Sequence, residues 1–126
     1  LEAIFLAFSY HSTLLFLAYW NYGDLQGLIA LMAEDITFWS DGGGKVVAAQ
    51  KPLFGCLKVA RFLVAIRRSR LTPILFSQVV KVNGQPGVVN IVDEKPHSTF
   101  SFEFVGDRIQ SIFAVVNPEK LGAVKL

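Results

Sequence analysis

The chain opens on an apolar run from Leu1 to Trp20 that only Glu2, Ser9, His11, Ser12 and Thr13 interrupt. Its apolar residues go most of the way round a helix, so the helix it predicts is deeply buried or pressed against another element. Ser9 or Ser12 serves as its cap, and it ends near Trp20. Asn21 to Gly23 breaks it, and Asp24 caps a second helix ending near Glu34, with Leu25, Leu28, Ile29 and Met32 on one stripe. Asp35 to Ser40 alternates like a strand, with Val46 to Ala49 as its hairpin partner across the glycines 42–44. Pro52 and Gly55 precede a third helix, Cys56 to about Arg68, whose stripe is Val59, Phe62, Leu63 and Ile66. Lys58, Arg61 and Arg68 face elsewhere.

From Thr72 the period changes to two. Ile74 to Val82 reads as a strand. Asn83-Gly84 predicts a tight hairpin, because both central positions of a type I′ turn need positive φ. Gly87 to Val92 follows, then a loop over Asp93 to Pro96. Thr99 to Val105 puts Phe100, Phe102 and Phe104 on one face, and Gly106-Asp107 turns into Arg108 to Val116. Asn117-Pro118 stops that strand before a short tail. The expectation is a single α+β domain over residues 1–126, a curved, mainly antiparallel sheet packed against three helices. This order and length resemble the nuclear transport factor 2-like fold, a cone whose sheet wraps a helix and leaves a pocket.

Composition sharpens the picture. Apolar residues make up 52% of the chain and charged residues 17%, which favours a large pocket or an apolar surface that needs a partner. The aromatic side chains exceed what loops can cover, and Trp39, Phe54, Phe62, Phe76, Phe102 and Phe113 are the pocket-lining candidates, fit for a small apolar ligand. The single cysteine, Cys56, excludes an internal disulfide and a cysteine-based zinc site; it reads as a core thiol in a reducing cytoplasm. The first apolar run lacks a basic flank and a small-residue cleavage site, so no membrane association is expected. Leu1 in place of an initiator methionine leads to the expectation of a longer parent chain.

Net charge is +2, unevenly spread. No acidic residue falls between Gly42 and Val92, whereas Lys45, Lys51, Lys58, Arg61, Arg67, Arg68, Arg70 and Lys81 do. A solvated helix face accounts for such a run more simply than nucleic acid, and no direct nucleic-acid binding is expected.

The stretch Asp41-Gly42-Gly43-Gly44-Lys45 invites a phosphate-loop reading, but a strand rather than a helix follows Lys45, so no helix N-terminus faces an anion. Three glycines exceed what a bare turn needs, which favours a turn that also admits another backbone closely. For catalysis, Asp41 beside Trp39 fits a general base tuned by an apolar pocket, with Asp93 or His97 at its mouth. Yet Asp41, Asp93 and Asp107 all fall at turns, where Asp is expected for backbone reasons. Neither His11 nor His97 has a companion at metal-ligand spacing, so neither metal nor cofactor is expected.

The stretches YGDLQGLIALMAEDITFWSDGGGKVVAAQKPLFG, VARFL, VNGQPGVV and VVNPEKL together resemble the C-terminal SnoaL-like domain of extracytoplasmic-function (ECF) sigma factors, from about Leu14 to Leu121. Two motifs carry the likeness: Asp41-Gly42-Gly43-Gly44-Lys45, and Asn117-Pro118-Glu119-Lys120-Leu121. Residues 1–13 depart from it, being more apolar than the polar linker usual there. The resemblance implies a cytoplasmic regulatory module, not an enzyme, that acts on the N-terminal sigma regions, their linker and core RNA polymerase through Asp41, Gly42, Gly43, Gly44, Lys45, Asn117, Pro118, Lys120 and Leu121. A stand-alone isomerase- or cyclase-like enzyme is the other reading. The apolar first helix and sheet also leave room for a homodimer.

Overall fold

The computed structural model describes residues 2–41, 51–68, 76–116 and 124–125. In chain order these form α1 (Glu2–Tyr22), α2 (Leu25–Leu31), β1 (Met32–Asp41), β2 (Leu53–Phe54), α3 (Cys56–Arg68), β3 (Phe76–Val82), β4 (Gln85–Val92), β5 (Lys95–Val105), β6 (Arg108–Val115) and β7 (Val124–Lys125). The sheet runs β2-β1-β6-β5-β4-β3-β7, antiparallel throughout except where β1 lies parallel to β6. This is the α+β architecture the periodicity predicts, with the helices on one face.

Period-two alternation sorts each strand's side chains to two faces. Phe38, Val88, Phe100, Phe102, Ile112 and Ala114 point to the helices and join Phe16, Trp20, Leu28, Val59 and Leu63 in one buried cluster. Phe16 stacks edge-on against Phe100 and Phe102, at centroid distances of 6.2 and 5.0 Å. Trp20 lies 5.1 Å from Phe100, and its indole Nε1–H donates to the Leu63 carbonyl at 2.7 Å. The indole thus satisfies its polar atom while tying α1 to α3.

Several elements differ from the sequence reading. Ser9 and Ser12 do not cap α1; both lie inside it and face the core, and Thr13 Oγ1 donates back to the Ser9 carbonyl at 2.7 Å. The second helix stops at Leu31 rather than Glu34. Asp24 does cap it, its carboxylate accepting from the Gly27 N–H at 2.9 Å, but Met32 is already extended and pairs with Ile109 of β6. Pairing to the sheet therefore overrides a helical stripe. The antiparallel partner seen beside β1 is β2, a two-residue strand between Pro52 and Gly55 that the sequence reading did not assign; Thr37 faces Phe54 and Phe38 faces Leu53. The expected partner, Val46 to Ala49, lies outside the described residues, as does the start of the Ile74 strand.

The hairpins are tighter than composition implied. Asn83 and Gly84 take φ of 52° and 82°, as the turn demands. Asp93 and Glu94 do the same at 50° and 65°, so the expected loop over Asp93 to Pro96 is a two-residue turn and β5 begins at Lys95. Gly87 serves a different need: a Cβ there would sit 2.7 Å from the Phe100 carbonyl oxygen of the neighbouring strand. The tail carries β7, which pairs with Lys81 and Val82 at the free edge of β3.

Glu94 has no side-chain reason to sit in the left-handed region, which costs an L-residue roughly 1–2 kcal/mol. Glu94→Gly is expected to raise unfolding free energy by about 1 kcal/mol in urea titrations, since glycine relieves that strain at some entropic cost. No gain would mean the turn is unstrained.

Candidate functional site

The parallel pairing of β1 and β6 decides where the two sequence motifs begin. Asp41, the last residue of β1, is the register partner of Val115, the last of β6. Parallel strands end at the same side of a sheet, so the chain enters Gly42 and, one residue past Val116, Asn117 from adjacent points on one rim. Gly42, Gly43, Gly44 and Lys45, and Asn117, Pro118, Lys120 and Leu121, lie outside the described residues, as does the Asp41 side chain.

Along that rim, on the helix-facing side, runs a polar row inside an otherwise apolar core. Arg67, from the last turn of α3, donates through Nη1 to Ser77 Oγ at 2.7 Å and through Nη2 to Asn21 Oδ1 at the end of α1. Ser77 Oγ donates to Asn90 Oδ1 at 2.7 Å, and Asn90 Nδ2 donates to Ser98 Oγ at 3.0 Å. Asn90 is fully buried and Ser98 nearly so. The Arg67 guanidinium lies 4.4 Å from the Trp20 ring centroid, a cation over an aromatic face. Burial lowers its pKa from the ordinary arginine value, yet it remains a cation. Among the described residues no carboxylate pairs with it. Its place in the last turn of α3, beside the end of α1, offers partial negative charge from both helix C-termini instead. Arg67 is thus not part of the solvated face read from the basic run, whereas Lys58, Arg61 and Arg68 are exposed.

Sequence reasoning missed this row, though a signal existed. Ser77 and Asn90 are equidistant from the Asn83-Gly84 turn and so must pair. Asn90 and Ser98 flank the Asp93-Glu94 turn, offset by one residue through the bulge at His97. His97 has no register partner, and its Nδ1 is buried without a hydrogen bond.

The six aromatic pocket candidates are not gathered into one pocket: Phe102 and Phe113 border one surface groove and Phe54 another. Phe102 is core, and Phe62 packs on Phe38 at 5.2 Å. Trp39, Phe54, Phe76 and Phe113 are exposed. The reason is strand parity: neighbours of the inward Phe38 and Ile112 must point outward. Trp39 and Phe113 are register partners on the outer face, two residues before Asp41 and Val115. The inner space is occupied by Phe16, Trp20, Leu28, Phe38 and Leu63.

The catalytic candidates fare similarly. Asp93 is exposed in its turn, and among the described side chains every carboxylate is exposed, so none has the buried setting that tunes a general base. Cys56 is half-buried at the start of α3. Among the described residues no three His, Cys, Asp or Glu side chains cluster to hold a metal.

Asn90→Leu should lower stability by about 1–3 kcal/mol in chemical denaturation, because Ser77 and Ser98 each lose a partner in a buried or half-buried setting. Burial holds the His97 imidazole below its ordinary 6.5. A depressed folded-state pKa means protonation favours the unfolded chain. The stability from neutral His97 is therefore complete above pH 6.5 and is lost as pH falls from there through the folded-state value. An NMR titration placing His97 at or above 6.5 would overturn this.

No protein-family model matches the chain. It is 30% identical over 108 residues, 78% of its length, to the ECF RNA polymerase sigma factor SigJ of Mycobacterium tuberculosis. It spans about a third (34%) of that curated relative. The crystal structure of SigJ superposes with a TM-score of 0.75 at 26% identity, covering 91% of this chain and 44% of that one. A SnoaL-like protein from Burkholderia thailandensis E264 matches with a TM-score of 0.64 at 16% identity, covering 88% and 95% of the two chains. A putative ketosteroid isomerase from Kribbella flavida gives 0.62 at 12%, covering 89% and 79%. The last two likenesses speak to fold, which is SnoaL-like and nuclear transport factor 2-like.

Proposed function

We propose that this chain, a SnoaL-like domain homologous to part of an ECF sigma factor, is a regulatory docking module rather than an enzyme. Its partners are the sigma regions and linker of the polypeptide it serves, and through them core RNA polymerase, in the cytoplasm. The observation that carries this reading is the register pair Asp41–Val115, which starts the glycine motif and the Asn-Pro motif side by side on one rim. Two segments that leave adjacent parallel strands are joined to one end of the sheet, and each needs only a few residues to contribute to a single contact surface. The glycines then admit a partner backbone closely, and Asp41 and Lys45 flank it with charge-assisted hydrogen bonds. Asn117, Pro118, Lys120 and Leu121 complete the patch.

The hydrogen-bonded row from Arg67 to Ser98 supports the rim from beneath, linking the ends of α1 and α3 to three strands. A rigid support lowers the ordering cost of docking. With the inner space among the described residues filled by side chains, the module works in this reading without a small apolar ligand.

Gly43→Val tests the proposal. It is expected to weaken binding of the domain to the sigma regions about tenfold or more, in line with the loss of a central contact, while the thermal midpoint of the isolated domain stays unchanged. Trp39 offers an optical readout: it is 45% exposed and near the rim, whereas Trp20 is fully buried and supplies a constant background. Undiminished binding by the variant would remove the glycine motif from the interface.

A further inference from the structure

The sheet has a second buried side. Strand parity turns Val88 and Phe100 toward the helices, so Val80, Val89 and Thr99 point to the opposite face. An antiparallel sheet with helices on one face ordinarily leaves the other wet. Trp39, Phe76 and Phe113 on that face are exposed, as this expects. Val89 is fully buried there and Thr99 and Val80 nearly so, and Val80 and Val89 join Ile91 in a cluster separate from the main core. Among the described apolar side chains only Val82 packs against that cluster. The burial is complete within one chain, so the cover belongs to the same chain.

The ends of the last two strands identify the covering segment. Val115 of β6 stands level with Thr99, Val89 and Gln78 across β5, β4 and β3. The next strand, β7, lies beyond β3, where Val124 pairs with Val82, four residues further from the rim than Gln78. At a strand spacing near 4.8 Å and a rise near 3.4 Å, the direct course from Val115 to Val124 is about 24 Å. The nine residue steps between them reach about 30 Å when extended. A detour around the rim crosses the same four spacings and then descends the whole of β3, about 40 Å before it clears the Asp93–Glu94 turn. The chain is too short for it. The inner face is filled by Phe16, Trp20, Leu28 and Leu63. Only the outer diagonal is left, and it passes over Thr99, Gly87 and Val80.

We infer that residues 117–123 lie extended across the outer face of the sheet and cover Val80 and Val89. Leu121 is the anchor. It is the one large apolar residue of this stretch, and two-thirds of the way along the course it falls over Val80 and its register partner Gly87. Val82 already leans over Gly87, where a Cβ would sit 2.8 Å from Val82 Cγ2, so the surface under Leu121 is low and apolar. Side chains alternate along an extended segment, so Lys120 points away from the sheet. The strap thus forms the floor of the docking patch: Asn117 and Pro118 stay near the rim, Lys120 is presented outward and Leu121 holds the segment down. The inference rests on strand register and burial, and it stands or falls apart from the docking reading.

Methyl NOE spectroscopy of the chain tests it. Leu121 should give cross-peaks to Val80 and Val82, and none to Val79 or Val88 on the helix-facing side. Leu121→Ala should lower the thermal midpoint by about 5 °C or more, as loss of a buried leucine does, and Leu121→Met should recover most of it. Lys120→Ala, at an outward position, should leave the midpoint unchanged. Absence of cross-peaks from Leu121 to both outer valines would overturn the inference, as would contacts to Val79 or Val88, or an unchanged midpoint for Leu121→Ala. Cross-peaks that arise only between differently labelled copies would assign the cover to a second chain and overturn it as well.

Discussion

Two strands more than sixty residues apart in the chain, β1 and β6, lie side by side and run in the same direction. Remove that pairing and the last four strands of the meander remain, with α1 still packed on them through Phe16 and Trp20, but β1 loses its place in the sheet. The pairing sets Phe38 beside Ile112 over the core and Trp39 beside Phe113 on the opposite face. Its direction matters as much as its existence. Had the strands run antiparallel, the residues following β1 and β6 would leave from opposite ends of the sheet. Because they run parallel, two motifs distant in sequence start from one rim.

Aromatic packing fixes the helices above that sheet. Phe16 and Trp20 of α1 meet Phe100 and Phe102, and Trp20 also bonds the α3 backbone and carries Arg67 on its ring. The same indole therefore belongs to the core and to the rim. A half-buried cation there needs compensation, and it receives two oxygen acceptors, an aromatic face and the ends of two helices. The row that continues to Asn90 and Ser98 uses the Ser77 hydroxyl and the Asn90 amide each as both acceptor and donor and ends on Ser98 Oγ as an acceptor, which is how polar groups are accommodated in an apolar interior.

The cost of this arrangement appears at the other end of α1. Its second half is anchored by large aromatics facing inward, and helical periodicity then dictates which way the first half faces. Ser9, Ser12 and Thr13 follow Phe16 and Trp20 into the core, and Tyr10 and Leu14 are left outside.

Much of the architecture was legible in the chain because it depends on local chemistry. The span of α3 follows from its apolar stripe, the β3–β4 turn from Asn83-Gly84, and the cap of α2 from Asp24. The motif residues and the likeness to sigma-factor domains were also visible there. Met32 was misread because a two-turn helix and a strand compete for it, and only pairing with Ile109 settles the matter. Trp39, Phe54, Phe76 and Phe113 looked like pocket lining because composition carries no parity; the face each takes depends on strand register. The Arg67 row required both turns and the bulge at His97 to be known before its members could be aligned. Local propensity and turn chemistry are written residue by residue, so the sequence determined the elements and most of their order. Which residues share a face, a rim or a hydrogen bond depends on contacts between distant strands, and that only the tertiary structure decided.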